Sequence, residues 1–550
     1  MNNKKMKQSV LIGALTSSFG IFVSKALGLL YYTPLSALAG EGNMAFYSIV
    51  YTYYDLLLKV SSAGIPFAVA ALVARYFAKE DYKTAMLVKK MGISLIMGLS
   101  VSVGFIFLLI SGPLARQSMG AQASPKDIAD LKNLFYILMI AVIFVPYLSA
   151  VRGYYQGLKR LDLYASSQVL EQFIRVGSIL LFGYLLVRVF HMENIYAIYT
   201  AIAAAGIAAI VALVFVLHSS KSEDRRVEEL IATQETPELA KKEVFRELLS
   251  LGIPYVLISA LGSISPLVNT TYFLDYATSA SAGMDMEEAK LSLGILQANC
   301  NKLSSIPQVL TLGFSSGLVP YLTESLERQD YDKLADQITQ LLDTVLFILI
   351  PVLFVFVFFS RDIYFIMYGN RNLELGNSLF RMSNILTFTD TIAPILSSIM
   401  ITLRMRKSTI LVLLFSCLVK ILTFFPCVKF FGAYGMIYSS FLCTSSVIIL
   451  YLFILRRRFH IGFRNTLRRM IMITGISFMM AVPAYLIHRI IPFGFEAGFK
   501  NRLLDIGIMG VLGILMVAIY YFLSVSVRLP QVIFNIEEPS IKKLLSRFRA

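Results

Sequence analysis

Long apolar runs separated by short polar segments dominate the chain. A helix that crosses a membrane needs about 20 mainly apolar residues, and each run reaches that length. The pattern predicts fourteen transmembrane helices, over residues 10–38, 44–74, 87–111, 133–155, 163–187, 194–218, 247–274, 291–322, 338–359, 377–403, 409–430, 433–455, 466–491 and 503–527. We therefore expect an all-α polytopic membrane protein.

The amino-acid composition agrees with this pattern. Hydrophobic residues make up 57% of the 550 residues and charged residues only 15%, whereas about 25% of the residues of a soluble domain are charged. This apolar excess excludes a soluble enzyme, a disordered protein and a secreted disulfide scaffold.

The positive charges indicate the orientation of the chain in the membrane. Lys and Arg are enriched in the cytoplasmic loops of membrane proteins. With both termini placed inside, the predicted inner segments contain 32 of the 50 Lys and Arg residues, and the outer loops contain 12. The ratio favours an even number of spans and cytoplasmic termini. It also accounts for most of the net charge of +16 without a nucleic-acid partner.

Two short motifs recur along the chain. Lys59-Val-Ser-Ser-Ala-Gly-Ile-Pro66 in the second predicted span resembles Lys302-Leu-Ser-Ser-Ile-Pro307 in the eighth. Pro146-Tyr-Leu-Ser-Ala150 in the fourth span resembles Pro394-Ile-Leu-Ser-Ser398 in the tenth. The two pairs are separated by 243 and 248 residues and follow the same order. They indicate a duplicated six-helix unit whose two copies run parallel in the membrane.

The duplication predicts that the chain is divided into four segments. Two six-helix lobes are joined by a polar cytoplasmic segment, and the last two helices lie outside the duplication. The predicted boundaries are 1–218 for the first lobe, 219–246 for the linker, 247–456 for the second lobe and 457–550 for the last two helices and a cytoplasmic tail.

Three lysines at membrane depth are the main candidates for substrate binding. A charge at the centre of a bilayer costs ~3 kcal/mol or more unless it meets water or a partner. Lys25 and Lys302 have no acidic residue three or four positions away, and Lys59 and Lys302 occupy equivalent places in the two repeats. Transporters built from repeats bind substrate at the interface between them. Three lysines around such a cavity suit a polyanion, for example a diphosphate.

Two pairs of opposite charges admit a plainer interpretation. Asp55 with Lys59, and Glu171 with Arg175, are each four residues apart on one helical face. Such pairs stabilise a helix and neutralise each other. Whether each pair is structural or functional stays open at this point.

Three further charges lie within predicted spans. Arg152 and Lys420 are expected to extend toward a membrane surface, as long basic side chains do. Asp390 lies in the middle of the tenth predicted span. With Asp55 and Glu171, it is a candidate for neutralising the basic residues or for ion coupling.

The sequence contains no GxxxxGK[ST], HExxH or GxSxG motif, and its four cysteines and four histidines are scattered. We therefore expect neither an ATPase nor a hydrolase, and neither a cofactor nor a metal site. Coupling to Na⁺, to H⁺ or to the membrane potential stays open.

Three segments resemble one family. Ser24-Lys-Ala-Leu-Gly-Leu-Leu30 resembles the span 1 signature of the MOP (MATE-like) flippase superfamily. Val151-Arg-Gly-Tyr-Tyr-Gln-Gly-Leu158 and the stretch from Pro34 to Ala74 are similar to its polysaccharide-transporter branch. Within that branch, the chain is most similar to the SpoVB/YtgP-type proteins, which are related to the MurJ lipid II flippases.

The resemblance implies two six-helix lobes that form a V around a cationic cavity and give alternating access to a lipid-linked cell-wall precursor. The cavity arginines of the family correspond to Lys25, Lys59 and Lys302, with Arg175 as a further candidate. The last two helices would hold the lipid tail. The chain departs from MurJ proteins at Tyr31-Tyr32, where an Arg-Asp pair is expected.

The expected function is therefore that of a flippase for undecaprenyl-diphosphate-linked peptidoglycan precursor, lipid II, in the cytoplasmic membrane of a Gram-positive-type bacterium. Its expected partners are the lipid-linked glycan diphosphate and membrane lipids, with cell-wall synthesis or division proteins as further candidates. Three alternatives stay open. They are a flippase for another lipid-linked glycan (capsule, teichoic acid or spore-cortex precursor), a multidrug cation antiporter, and a membrane scaffold for division enzymes.

Overall fold

The computed structural model describes residues 28, 31–62, 64–235, 237–308, 322, 325–490 and 499–534. Regular secondary structure in these ranges is helical throughout. Twelve candidate membrane spans occur in them, at Met44–Ala78, Tyr82–Met119, Pro125–Gly157, Asp162–Val189, Ile195–Ser219, Lys241–Ala277, Tyr331–Phe358, Leu373–Thr402, Arg406–Phe431, Tyr434–Phe459, Arg464–Ile490 and Asn501–Ser526.

These twelve spans correspond to the predicted spans 2–7 and 9–14, so the all-α polytopic architecture is confirmed. Most of the predicted span 10–38 and the end of the predicted span 291–322 lie outside the described residues. The total of fourteen spans therefore stays a prediction.

The chain divides into two compact units. The first contains the described residues up to 299 together with 424–436, and the second contains the remaining described residues. The helices of residues 31–299 are α1 Tyr32–Ala39, α2 Met44–Ser62, α3 Ile65–Ala78, α4 Tyr82–Met119, α5 Pro125–Gly157, α6 Leu161–Tyr184, α7 Ile195–Ser219, α8 Lys221–Thr233, α9 Lys241–Gly262, α10 Ile264–Ala277 and α11 Met286–Leu293, with π-helical turns at Leu185–Val189 and Gly294–Cys300.

The second predicted span is broken in two at Gly64. Helix α2 ends at Ser62 and α3 begins at Ile65, and Gly64 between them has φ +86°. That left-handed conformation is easy only for glycine. A Cβ atom on Gly64 would also lie 2.5 Å from Cβ of Tyr255 in α9. Gly64 therefore allows both the break between α2 and α3 and the close packing of α9 against this point.

The glycines of the Val151–Leu158 motif bring α5 onto α3. A Cβ atom on Gly153 would lie 2.5 Å from the carbonyl oxygen of Pro66, and one on Gly157 would lie 2.8 Å from that of Ala70. The two backbones are thus almost in contact. Large buried side chains of both helices continue this junction into the main apolar core of the first unit.

The polar segment 219–246 is folded onto the first unit. The hydroxyl of Tyr155 donates to Oδ2 of Asp224 in α8 at 2.8 Å, and Nζ of Lys89 lies 3.0 Å from Oδ1 of the same carboxylate. Further on, Gln234 accepts from the backbone N–H of Lys83 at 2.8 Å. The predicted linker is therefore an ordered element of this unit, which continues beyond it to residue 299. The lobe boundaries drawn from the duplication stay a prediction.

The remaining helices are α12 Tyr331–Phe358, α13 Ser360–Tyr368, α14 Leu373–Thr402, α15 Arg406–Phe431, α16 Tyr434–Phe459, α17 Arg464–Ile490, α18 Phe499–Ser526 and α19 Leu529–Phe534. Helices α17 and α18 pack with the end of α12 through Phe359, Met480, Ala484 and Leu512. An ion pair of the buried Asp343 in α12 with Arg469 in α17 adds a polar link. The two helices outside the duplication are thus integral to the second unit.

The close approach of α5 and α3 yields a test of stability. We expect Gly153→Ala to lower the free energy of unfolding by about 1–3 kcal/mol, because the added methyl group must displace the α3 backbone. Gly98→Ala is the matched control, since a Cβ atom there meets nothing within 4 Å and alanine favours the helix. Thermal unfolding of both variants in detergent measures the difference. Equal melting temperatures would contradict the packing argument.

Candidate functional site

Lys59 lies at the centre of a closed polar triad. Its Nζ atom donates to Oδ2 of Asp55 at 2.6 Å and to Oγ of Ser263 at 2.8 Å. Ser263 donates in turn to the same carboxylate oxygen of Asp55 at 3.0 Å. The predicted spacing of Asp55 and Lys59 therefore does produce an ion pair. Ser263, which lies at the junction of α9 and α10, had no signal in the sequence because its partners are about 200 positions away.

The triad is accessible from outside the protein. The side chain of Lys59 is 36% exposed and that of Asp55 is 51% exposed. An ion pair as exposed as this contributes only about 0–1 kcal/mol, so its partners exchange easily. Charged side chains at membrane depth typically face a water-filled cavity or a bound substrate. The Lys59 ammonium is thus a group that an incoming anion can reach.

A second cluster is buried between α5 and α6. The carboxylate of Glu171 accepts from Arg175 at 2.7 Å through Oε1 and from Arg152 at 2.7 Å through Oε2. Nε of Arg152 donates to Oγ of Ser167 at 2.8 Å. The exposed fractions are 8% for Arg152, 13% for Glu171 and 14% for Arg175. One carboxylate between two guanidinium groups leaves one positive charge on the cluster.

The cluster contains the predicted Glu171–Arg175 pair, but it also contains Arg152, which was expected elsewhere. The predicted Glu171–Arg175 pair is present, but the expectation that Arg152 reaches the membrane surface is wrong. Arg152 turns inward because Ser167 and Glu171 on the adjacent helix compensate for its burial. Nε of Arg175 and one terminal nitrogen of Arg152 are buried without a hydrogen-bond partner in the described part of the chain.

Tyrosines surround the Arg175 side of the cluster. The Tyr31 and Tyr47 hydroxyls are 2.8 Å apart, and the rings of Tyr47 and Tyr51 stack with centroids 4.9 Å apart. The Arg175 guanidinium lies close to the phenols of Tyr51 and Tyr54. The Tyr31-Tyr32 pair, which replaces the expected Arg-Asp, therefore belongs to a phenol cluster. The cluster could have been predicted from the spacing of Tyr47, Tyr51 and Tyr54, which places them on one face of α2.

The remaining predicted site residues lie in the second unit or outside the described residues. Lys302 is half-buried in the helical residues 301–308, directly after the π-helical turn Gly294–Cys300. Asp390 is half-buried in α14, where its carboxyl interacts electrostatically with Lys420. Lys25 lies outside the described residues. Lys59 and Lys302 thus fall in different compact units.

Lys420 corrects a further expectation. Its side chain is fully buried, and Nζ donates to Oγ of Ser439 and of Ser440 in α16 at 2.8 Å each. The expectation that it reaches an interface is wrong, because these hydroxyls and the Asp390 carboxyl compensate for the loss of water around the ammonium. Among the described residues, no group of three His, Cys, Asp or Glu side chains is arranged to hold a metal ion.

Comparison with known proteins places this geometry in a family. Residues 10–326 match the family model described as "Polysaccharide biosynthesis protein". The chain is 27% identical over 498 residues to Lipid II flippase MurJ of Bacillus subtilis (strain 168), which covers 89% of this chain and 90% of that protein. It is 24% identical over 374 residues to Stage V sporulation protein B of the same organism, covering 66% of this chain and 68% of that protein.

Solved structures show the same fold. A lipid II flippase MurJ in an inward closed conformation matches with a TM-score of 0.66 and 15% identity, over 93% of this chain and 98% of that one. An inward-facing multidrug resistance MATE family transporter of the MOP superfamily matches with a TM-score of 0.62 and 12% identity, over 81% and 98%. The predicted resemblance to the MOP superfamily is thus confirmed. Because the family model matches more than half of its residues, this multi-pass membrane protein belongs to the polysaccharide biosynthesis protein family.

Proposed function

We propose that this protein is a transporter rather than an enzyme: a flippase that moves undecaprenyl-diphosphate-linked peptidoglycan precursor, lipid II, across the cytoplasmic membrane by alternating access. The observation that carries the proposal is the accessible Lys59 ammonium, which lies in the last turn of α2 and about midway along the candidate membrane span Met44–Ala78. The similarity to a lipid II flippase over most of the chain supports the substrate class.

The triad provides a way to exchange one anion for another. An ammonium group has three donors, and two of them are used by Asp55 and Ser263. A diphosphate that approaches Lys59 competes with the Asp55 carboxylate for the ammonium. Asp55 then keeps the hydrogen bond from Ser263, so no carboxylate is left without a donor. Asp55 thus neutralises Lys59 when the site is empty and releases it when the substrate binds.

The arginine cluster supplies a long-range attraction. Its one excess positive charge lies in a water-poor environment, where charges act over longer distances. We assign Arg175 as a second contact for the diphosphate, with Glu171 holding it in place. Lys25 and Lys302 complete the cationic set by the family resemblance, and Asp390 neutralises basic groups of the second unit or takes part in ion coupling to Na⁺ or H⁺.

The orientation and the setting belong to the same proposal. Both termini face the cytoplasm, as the distribution of Lys and Arg indicates, and the membrane is that of a Gram-positive-type bacterium. Cell-wall synthesis or division proteins would supply or receive the precursor.

A second candidate substrate is favoured by one observation. The family model is described as "Polysaccharide biosynthesis protein", which supports a different lipid-linked glycan. A multidrug cation antiporter fits less well, because the exposed Asp55 carboxylate is already paired with the Lys59 ammonium, which would repel a cationic drug.

Lys59→Gln tests the exchange at the triad. We expect flipping of lipid II by the purified variant in liposomes to fall about tenfold or more, since a hydrogen bond to a charged group is lost. The matched control is Lys126→Gln, which removes the lysine of another exposed 2.6 Å ion pair, Lys126–Glu193, at the start of α5. Lys59→Ala combined with Lys302→Ala should abolish flipping in a folded protein. Normal flipping by that double variant would refute the assignment.

Glu171→Gln separates a structural from a coupling role of the arginine cluster. Two buried guanidinium groups would lose the one carboxylate that pairs with them among the described residues, so we expect a loss of about 3–5 kcal/mol in unfolding free energy. Glu193→Gln serves as the exposed control. The measurement is thermal unfolding together with flipping at several Na⁺ concentrations and pH values. A variant that stays stable but loses only its ion dependence would show that Glu171 acts in coupling.

A panel of lipid-linked substrates tests the substrate itself. Purified protein in liposomes should flip lipid II faster than lipid-linked capsule or teichoic-acid units, and cells depleted of the protein should accumulate lipid II. Unchanged lipid II in depleted cells, with transport of another unit in liposomes, would favour the second candidate.

A further inference from the structure

The second unit contains a largely apolar cavity of about 590 Å³ between α12, α14, α16 and α17. All four helices are candidate membrane spans. Apolar side chains form most of its wall, among them Leu353, Phe354, Ile385, Phe388 and Ile449. A cavity with this lining binds apolar ligands.

The cavity opens toward the surface that membrane lipids would cover. Ile449 in its wall is 65% exposed and Val357 is 36% exposed, so the wall is continuous with the outer face of the unit. A ligand inside the bilayer can therefore enter sideways. Lipid chains are the apolar molecules that a membrane-spanning segment meets.

Arg381 is the one charged residue in the described lining of this largely apolar space. Nε of Arg381 donates to Oγ of Ser360 at 3.2 Å, beside the start of α13. The carboxylate of Glu374, one candidate partner nearby on α14, is held by Arg361 at 2.6 Å. Arg381 is exposed and forms no ion pair with any residue that the structure describes. A guanidinium group forms strong charge-assisted hydrogen bonds with phosphate, and phosphate is the anion that a phospholipid carries.

The volume distinguishes between lipid chains. A volume of about 590 Å³ holds roughly 20 groups of the size of a water molecule. A methylene group is of similar size, so the cavity holds roughly 20 methylene groups. One fatty acyl chain would fill this space, whereas a long polyisoprenoid chain would leave most of its length outside. We propose that an anionic membrane phospholipid binds to the second unit, with one acyl chain between α12, α14, α16 and α17 and its phosphate on Arg381.

None of the described charged residues assigned to the diphosphate lines this cavity. The acyl chain of the lipid fills the cavity. An empty cavity would weaken the packing of α12 and α17, because empty apolar volume is destabilising. The bound lipid thus becomes a structural part of the unit to which the last two helices belong.

The sequence contains no tryptophan, which gives a clean optical test. Phe388→Trp places a single tryptophan in the cavity wall. Phe453→Trp is the control, since Phe453 in α16 is 58% exposed and does not line the cavity. Each full-length variant is reconstituted in phosphatidylcholine vesicles that contain a small fraction of phosphatidylglycerol. The acyl chains of either lipid are brominated, so that they quench a neighbouring tryptophan.

We expect brominated phosphatidylglycerol to quench Phe388→Trp about two- to fivefold more, per molecule, than brominated phosphatidylcholine, as a partly exposed ion pair would produce. Adding Arg381→Gln should remove that preference, and Phe453→Trp should show none. If Phe388→Trp does not fold, Ile385→Trp replaces it.

Equal quenching by the two lipids, with and without Arg381→Gln, would overturn the proposal. Relief of the quenching by undecaprenyl phosphate at low concentration would also overturn it, because the substrate lipid would then be the occupant. Flipping is not measured, so the outcome does not depend on the proposed function.

Discussion

The first compact unit depends on one shared carboxylate. Glu171 accepts hydrogen bonds from two guanidinium groups, and without it two positive charges would be buried between α5 and α6. A buried charge that loses its partner is strongly destabilising, whereas a good ion pair with further hydrogen bonds offsets much of the desolvation cost. The pairing therefore allows arginines at a depth where apolar residues are the rule, and it leaves one positive charge on the cluster.

The Val151–Leu158 motif combines packing and charge within eight residues. Gly153 and Gly157 allow the backbone of α5 to approach that of α3. Arg152 donates a hydrogen bond to Glu171, and Tyr155 donates one to Asp224 of the polar segment 219–246. The two glycines thus face α3, whereas Arg152 and Tyr155 face Glu171 and Asp224.

The exposed fraction of the side chain distinguishes two lysines that look equivalent in the sequence. Lys59 and Lys420 are both lysines within apolar spans. Lys420 is fully enclosed and donates to Ser439 and Ser440, whereas Lys59 is about one-third exposed and shares a carboxylate that an anion can replace. Only the second arrangement leaves the ammonium available. Buried hydroxyls thus make one lysine structural, and an exposed pair makes the other a candidate for binding.

The sequence by itself determined the class of protein, the positions of the helices and the two i,i+4 ion pairs, because these depend on local periodicity and hydropathy. Tertiary structure decided what lies far apart in the chain: Ser263 beside Lys59, Arg152 beside Glu171, and the docking of residues 219–246 onto the first unit. The reason is physical. A backbone pattern repeats over a few residues, whereas the partner of a buried charge is chosen by whichever helix folding brings beside it.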